Sequence, residues 1–153
     1  MDWKYKQFEE LTISELYNLL KERTKIFVLE QNCPYLDIDG KDPFSYHIFK
    51  ENEGEIIAYA RVVPSGILHQ EVSIGRVFVK KEYRGQGIAE ELLKKVLQYI
   101  HHELREVMVK IQAQEYLKKF YSSLGFQTIS EVYLEDNIPH IDMMLRDMPF
   151  FRD

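Results

Sequence analysis

The sequence contains a single cysteine, Cys33, among its 153 residues. One cysteine excludes an internal disulfide framework and a zinc site built from several cysteines. Such sparing cysteine use is typical of a reducing compartment, so we expect a cytoplasmic protein.

Long apolar runs are also missing. The longest purely apolar stretch is residues 56–60, far shorter than the roughly 20 residues that cross a bilayer. No apolar signal-peptide core is visible in the amino-terminal sequence MDWKYK. We therefore expect no membrane association and no secretion.

Positive charge is outweighed by negative charge. The 20 Lys and Arg residues against 25 Asp and Glu residues produce a formal net charge of −5. An acidic chain lacks the positive footprint of a nucleic-acid-binding protein. Ten tyrosines, nine phenylalanines and only seven glycines indicate an ordered globular chain rather than a disordered one. We expect a single domain over residues 1–153.

Hydrophobic periodicity predicts the order of secondary structure. Helical spacing predicts helices over residues 13–30, 88–102 and 115–124, the first starting at a capping box of Thr12 and Glu15. Strand patterns occupy residues 3–8, 46–50, 55–63, 73–80, 107–111, 130–135 and 140–145. This order indicates a mixed sheet with helices, an α/β or α+β domain. The strands near residues 73–80 and 107–111 should run parallel through a right-handed crossover.

Residues 32–43 form an irregular stretch that carries Asp37, Asp39 and Asp42. Their spacing is like that of a calcium loop, but the glutamate required at the twelfth position is missing. We therefore expect no metal site here. The interpretation is a solvated acidic loop whose rim could attract cationic amines.

A strand, a glycine-containing turn and a long helix follow one another at residues 77–89. The first amides of a helix lack intrahelical partners and lie at the positive end of its dipole, so an anion can bind there. Lys80, Lys81 and Arg84 concentrate positive charge at this point. The dinucleotide fingerprint and the P-loop are both absent. Taken alone, the segment leaves open whether the glycines only form a turn.

Two motifs in the second half of the chain point to a known family. Arg84-x-x-Gly87-x-Ala89 matches the R/Q-x-x-G-x-G/A signature of the GCN5-related N-acetyltransferase (GNAT) superfamily. The later motif Phe120-Tyr121-x-x-x-Gly125-Phe126 and the order of elements resemble the same superfamily. Residues 28–40, 74–77 and 131–141 are similar to its ElaA-like branch.

The resemblance implies a mixed, mostly antiparallel sheet of about six or seven strands flanked by about four helices. The central parallel β-α-β unit would be splayed where the cofactor binds. The cofactor would be acetyl-CoA, with its pyrophosphate on the glycine turn and its pantetheine along a strand edge that ends at Val79. The amide of Val79 would be the oxyanion donor. The resemblance implies cofactor binding by Val77, Phe78, Val79, Arg84, Gly85, Gln86, Gly87, Ile88, Ala89, Gln112 and Gln114.

For the catalytic residues, the resemblance implies a proton donor but leaves the general base open. Tyr121 matches the family tyrosine that protonates the leaving thiolate, although it could also simply pack on the apolar face of its helix. Glu30 and His140 are both candidates for the general base, and a water chain would also serve. Arg76 could hold a substrate carboxylate, or it could pair with Asp or Glu.

The sequence therefore predicts an acetyl-CoA-dependent N-acetyltransferase in which an amine, of a small molecule or of a protein, attacks the thioester directly. A non-catalytic acyl-CoA-binding sensor or interaction module on the same fold stays open as the alternative. The edge of the two closing strands could pair across a homodimer. Part of the acidic excess is expected to border the acceptor side: Glu30, Asp37, Asp39, Glu131, Glu135 and Asp136.

Overall fold

The computed structural model describes residues 2–147. The elements follow in the order β1 (Asp2–Gln7), α1 (Ile13–Arg23), β2 (Tyr46–Asn52), β3 (Glu55–Val63), β4 (Val72–Val79), α2 (Ile88–His102), β5 (Val109–Gln114), α3 (Lys118–Ser123), β6 (Gln127–Thr128), β7 (Tyr133–Glu135) and β8 (Ile138–Leu145). None of the helices in this part of the chain is both long and apolar enough to cross a bilayer.

The strands form one sheet in the order β1-β2-β3-β4-β5-β8-β6, and β7 pairs with β8. Strands β4 and β5 are parallel, and the other pairs are antiparallel. The predicted mixed, mostly antiparallel sheet is confirmed. The predicted counts are slightly wrong, because residues 2–147 hold eight strands and three α-helices. The additional strand, β6, has two residues, too few to produce a hydrophobic pattern.

The first helix begins at the predicted capping box. The Glu15 amide donates to the Thr12 hydroxyl at 3.0 Å, and the Thr12 amide donates to the Glu15 carboxylate at 2.9 Å. Burial opposes ionisation of Glu15, but hydrogen bonds from Lys6, from the Thr12 amide and from Lys4 outweigh it and lower its pKa to about 2. The box therefore keeps its charged form at neutral pH.

The end of the predicted first helix has a different geometry from its beginning. Residues Thr24–Glu30 are π-helical, and bonds of the same i to i−5 type continue from the Gln31 amide to Ile26 and from the Cys33 amide to Val28. The wider turn changes which way the following side chains face. Segments of this kind occur often at functional sites.

The sheet buries apolar side chains on both faces. One face packs against α2 and α3, where Leu92, Val96 and Ile100 are fully buried. The opposite face packs against α1 through Leu19, Tyr59 and Phe78. The sheet is thereby covered by helices on both faces.

A buried ionic network ties the irregular stretch to the sheet. Arg23 on α1 pairs with Asp37 at 2.8 Å and with Asp42 at 2.7 Å. Arg61 on β3 pairs with both oxygens of Asp39 at 2.8 Å and with Asp42 at 3.1 Å. Both arginine side chains are almost completely inaccessible to solvent.

The expectation of a solvated acidic loop is therefore wrong. Asp37 and Asp42 are buried because each neutralises a buried guanidinium. Burial opposes ionisation of Asp42, but its hydrogen bond and attraction to Arg23 outweigh that cost and lower its pKa. Asp39, closer to solvent, also has a lowered pKa, because Arg61 outweighs the effect of burial.

Replacing Arg23 by methionine should destabilise the protein by about 3 kcal/mol, because the buried Asp37 and Asp42 would each lose one of their two guanidinium partners. Chemical denaturation of the purified protein measures this change. Lys94→Met is the matched control, because it removes an exposed pair with Glu90 on α2 and should cost less than about 1 kcal/mol. Equal losses in the two variants would contradict a structural role for the buried network.

Candidate active site

Strands β4 and β5 pair at two positions and then separate. Their register joins Val72 to Val109 and Ser73 to Lys110. Beyond them, Gly75 lies opposite Arg61 of β3 and Phe78 lies opposite Tyr59, so β4 contains one extra residue. Arg76 in this bulge has a φ of +53°, a left-handed conformation that is uncommon outside glycine. Bulges of this kind bend a strand and redirect its side chains.

The separated strands border a cleft of about 340 Å³. Six of the residues predicted to form the site lie on its walls: Arg76, Val77, Gln112, Gln114, Tyr121 and His140. The cleft therefore collects residues from β4, β5, α3 and β8 that are far apart in sequence. A concave site with a few polar groups among apolar walls is typical of small-molecule binding.

The edge of β4 offers backbone groups to this gap. The Lys80 amide donates to the Ile57 carbonyl at 2.8 Å, on the side of β3. Because hydrogen-bonding directions alternate along an antiparallel strand, the amide and carbonyl of Val79 face the side away from β3. By the same alternation the backbone groups of Phe78 face β3, and its side chain is buried against α1, so neither faces the gap.

The glycine turn stands at the end of β4, before α2. Gly85 and Gly87 have φ values of +81° and +79°. The first intrahelical bond runs from the Glu91 amide to the Gly87 carbonyl, so the preceding amides of Ile88 and Ala89 have no partner within the helix. A Cβ atom added at either glycine would meet no atom within 4 Å. This turn therefore has the free donors and the open space that a phosphate group needs.

Arg84 connects the glycine turn to the π-helical segment. Its guanidinium contacts the two carboxylate oxygens of Glu30 at 2.5 and 3.2 Å, and its Nε donates to the Val79 carbonyl at 2.8 Å. The hydrogen bond from Arg84 lowers the pKa of Glu30. Glu30 is thus an ion-pair partner of Arg84, and it does not lie on the walls of the cleft.

Tyr121 presents a buried hydroxyl to the cleft. The residue is 6% exposed, and its ring packs edge-on against Phe120 and Phe126 at centroid distances of 5.2 and 5.7 Å. Within residues 2–147 the hydroxyl forms no hydrogen bond. Burial raises the pKa of Tyr121, so the hydroxyl keeps its proton at neutral pH and can donate it.

His140 lies on β8 directly opposite Gln114. Its Nδ1 is 2.7 Å from the Ile138 carbonyl oxygen. Because a carbonyl only accepts, we assign the proton to Nδ1, and a neutral ring then carries its lone pair on Nε2. The Nε2 atom is 3.9 Å from Glu135, and the ring stacks on Tyr133. This geometry leaves a basic nitrogen at the cleft wall.

Gln31 is a wall residue to which sequence reasoning assigned no role. The Gln114 amide donates to the Gln31 side-chain oxygen at 3.1 Å, which joins the end of the π-helical segment to β5. The position of Gln31 depends on the π-helical turn, because an α-helical continuation would rotate it away. No periodic pattern in the sequence marks that change of helix type.

Arg76 lies on the cleft wall but is already ion-paired. Its Nε is 2.7 Å from Asp37, and its Nη2 is 3.4 Å from Asp39. The guanidinium also lies over the ring of Tyr35, 5.5 Å from its centroid. Of the two interpretations that the sequence left open, the structure shows the pairing with aspartate.

Comparison with known proteins gives the family. A family model described as an acetyltransferase (GNAT) domain matches residues 14–146. Protein ElaA of Escherichia coli (strain K12) is 42% identical over 145 residues, which cover 94% of this chain and 95% of ElaA. A UPF0039 protein of Schizosaccharomyces pombe is 37% identical over 147 residues, which cover 95% of this chain and 97% of the relative.

Solved structures with a similar fold belong to the same group of proteins. The crystal structure of an acyl-CoA N-acyltransferase from Pseudomonas aeruginosa has a TM-score of 0.90 and 39% identity, covering 94% of this chain and 98% of that one. The crystal structure of Escherichia coli ElaA has a TM-score of 0.86 and covers 95% of this chain and 99% of its own. The chain therefore belongs to the GNAT family of acyl-CoA-dependent acyltransferases and resembles its ElaA-like members.

Proposed function

We propose that this protein transfers an acetyl group from acetyl-CoA to an amine by direct attack of the amine on the thioester. The observation that carries the proposal is the cleft between β4 and β5. A glycine turn with free amides follows the end of β4, and the hydroxyl of the buried Tyr121, which has no hydrogen-bond partner among residues 2–147, opens into the cleft. A reaction that releases a thiolate needs a proton donor of this kind.

The residues at the glycine turn fit the coenzyme. The amides of Gln86, Gly87, Ile88 and Ala89 would hold the pyrophosphate, and the open space beside Gly85 and Gly87 admits it. The backbone edge of β4 at Val77 would bond the pantetheine in the manner of an added strand, since the Val79 carbonyl already accepts a hydrogen bond from Arg84. Gln112 and Gln114, on the opposite wall, would border its reacting end.

Each step of the transfer has a candidate group on the cleft. His140, through the lone pair on Nε2, would take a proton from the amine, and Glu135 would stabilise the resulting charge. The Val79 amide would stabilise the negative charge that develops on the thioester oxygen. As the new nitrogen–carbon bond forms and the carbon–sulfur bond breaks, Tyr121 would donate its proton to the leaving thiolate.

Of the two predicted bases, we propose His140 rather than Glu30. Glu30 is engaged by the guanidinium of Arg84, and its lowered pKa makes it a weaker proton acceptor. It also lies outside the cleft walls, whereas His140 is on them. Glu30 is better suited to orienting Arg84 beside the glycine turn.

A non-catalytic acyl-CoA-binding module is the competing function. Such a module would need the glycine turn but no proton donor. The side chain of Tyr121 is buried, and its hydroxyl opens into the cleft without a hydrogen-bond partner among residues 2–147, so it can donate to a group bound there. This supports catalysis over binding alone.

Coenzyme A should bind the purified protein in a calorimetric titration, and Gly87→Ala should weaken the binding at least tenfold. The substituted residue would be strained at a φ of +79°, and the amides around it would lose their alignment. Gly66→Ala is the matched control, because Gly66 has a φ of +85° but lies in the connection that precedes β4. No binding at millimolar coenzyme would contradict the proposed function.

Tyr121→Phe should lower kcat for acetyl transfer by roughly a hundredfold while the affinity for coenzyme A stays within twofold, because the variant loses the proton donor and keeps the ring. Steady-state kinetics together with the titration separate the two effects. An unchanged kcat, measured where chemistry limits the rate, would remove Tyr121 from the mechanism.

His140→Gln should reduce kcat by about a hundred- to a thousandfold, because a glutamine side chain cannot accept a proton near neutral pH. Glu30→Gln should keep kcat within a few-fold and change mainly the KM for acetyl-CoA, through Arg84. Kinetics of both variants with saturating amine decide between them. The reverse pattern would make Glu30 the base.

A further inference from the structure

The positive charges near the acceptor side of the cleft are already neutralised. Arg61 and Arg76 both lie on the walls, and each is paired with Asp39. Including Arg23, Asp37 and Asp42 behind them, the network contains three arginines and three aspartates. A substrate carboxylate would therefore have to displace an existing ion pair before it could bind either wall arginine.

The turn between β7 and β8 carries negative charge to the same cleft. Glu135 and Asp136 both lie on its walls. In the part of the chain that the structure describes, neither carboxylate has a Lys or Arg within ion-pair distance, and the Nε2 of His140 lies 3.9 Å from Glu135. Asp136 and Asn137 have φ values of +50° and +63°, so a tight two-residue turn fixes their position.

The buried hydroxyl of Tyr121 shows independently that the cleft is built for a ligand. The residue is more than nine-tenths buried, lies on the same walls, and has no hydrogen-bond partner within residues 2–147. Tyr121 and the two acidic residues of the turn border the same cleft.

We infer that the acceptor is a small aliphatic diamine, an inference that rests on the proposed acetyl transfer. Glu135, beside His140, would attract the ammonium group that is to be deprotonated and acetylated. Asp136 would hold the second ammonium group, which stays charged. A carboxylate in place of the second ammonium group would be repelled by Asp136, and Arg76 could not bind it without leaving its aspartate partner. A lysine side chain of a protein would bring only one of the two charges.

A matched series of acceptors tests this inference. The compounds are 1,4-diaminobutane, butylamine and 4-aminobutanoate, which share one chain length and differ in the terminal group. The wild-type protein should acetylate the diamine with a kcat/KM at least tenfold above that of butylamine, and 4-aminobutanoate should be the poorest substrate. Calorimetric titration of each amine into the protein saturated with coenzyme A should give the same order of affinities without turnover.

The variant Asp136→Asn tests whether the preference for the diamine over butylamine depends on the turn between β7 and β8. Asparagine tolerates the left-handed conformation, so the variant should fold with an unchanged melting temperature. Its preference for diamine over butylamine should fall below threefold, and its affinity for the diamine should fall at least tenfold. Glu131→Gln is the control, because Glu131 is exposed and is not on the cleft walls, and it should keep the wild-type preference.

The inference and the proposed function fail in different ways. Equal kcat/KM values for the three amines, a preference for butylamine or 4-aminobutanoate, or an Asp136→Asn preference equal to that of Glu131→Gln would overturn the diamine. Turnover of a lysine peptide but of none of the three amines would overturn it too. Failure of coenzyme A to bind, or binding of coenzyme A without turnover of any amine or lysine peptide, would overturn the proposed acetyl transfer itself.

Discussion

The separation of β4 from β5 after two paired residues is the constraint on which the rest of this structure depends. A parallel pair that continued to the ends of both strands would bury the backbone groups of Val79 in ladder hydrogen bonds. The bulge at Arg76 prevents this, because the extra residue bends β4 away from its neighbour. The cleft, its free strand edge and the approach to Tyr121 all follow from that bend.

The ionic network contacts the bulged strand from outside the sheet. Arg76 contributes one guanidinium to the network, and the helix α1 and strand β3 contribute the other two. The aspartates come from one irregular stretch, which is thereby fixed beside the cleft. The same ion pairs that hold Arg76 in the bulge neutralise the arginines on the cleft walls, so support of the backbone and the charge of the walls are physically linked.

Local features were predictable from the sequence because short-range physics decides them. The capping box, the glycine turn before α2 and the helix that carries Tyr121 all depend on residues a few positions apart. The burial of Asp37 and Asp42 was not predictable, because their partner Arg23 is 14 and 19 residues away. Read along the chain, a carboxylate in a loop is most simply solvated. The π-helical turn that places Gln31 was missed because it leaves the apolar periodicity nearly unchanged.

The sequence by itself determined the family, the order of strands and helices, and the turn suited to a phosphate group. These features depend on motifs and periodicities, that is, on residues that are close together in the sequence. Only the tertiary structure decided which candidate side chains share a cleft: His140 and Tyr121 face it, whereas Glu30 is held by Arg84. It also decided that Arg76 is neutralised while Glu135 and Asp136 have no Lys or Arg partner among residues 2–147. Charge balance in a cleft depends on distances between side chains from separate elements, and these distances exist only after the chain has folded.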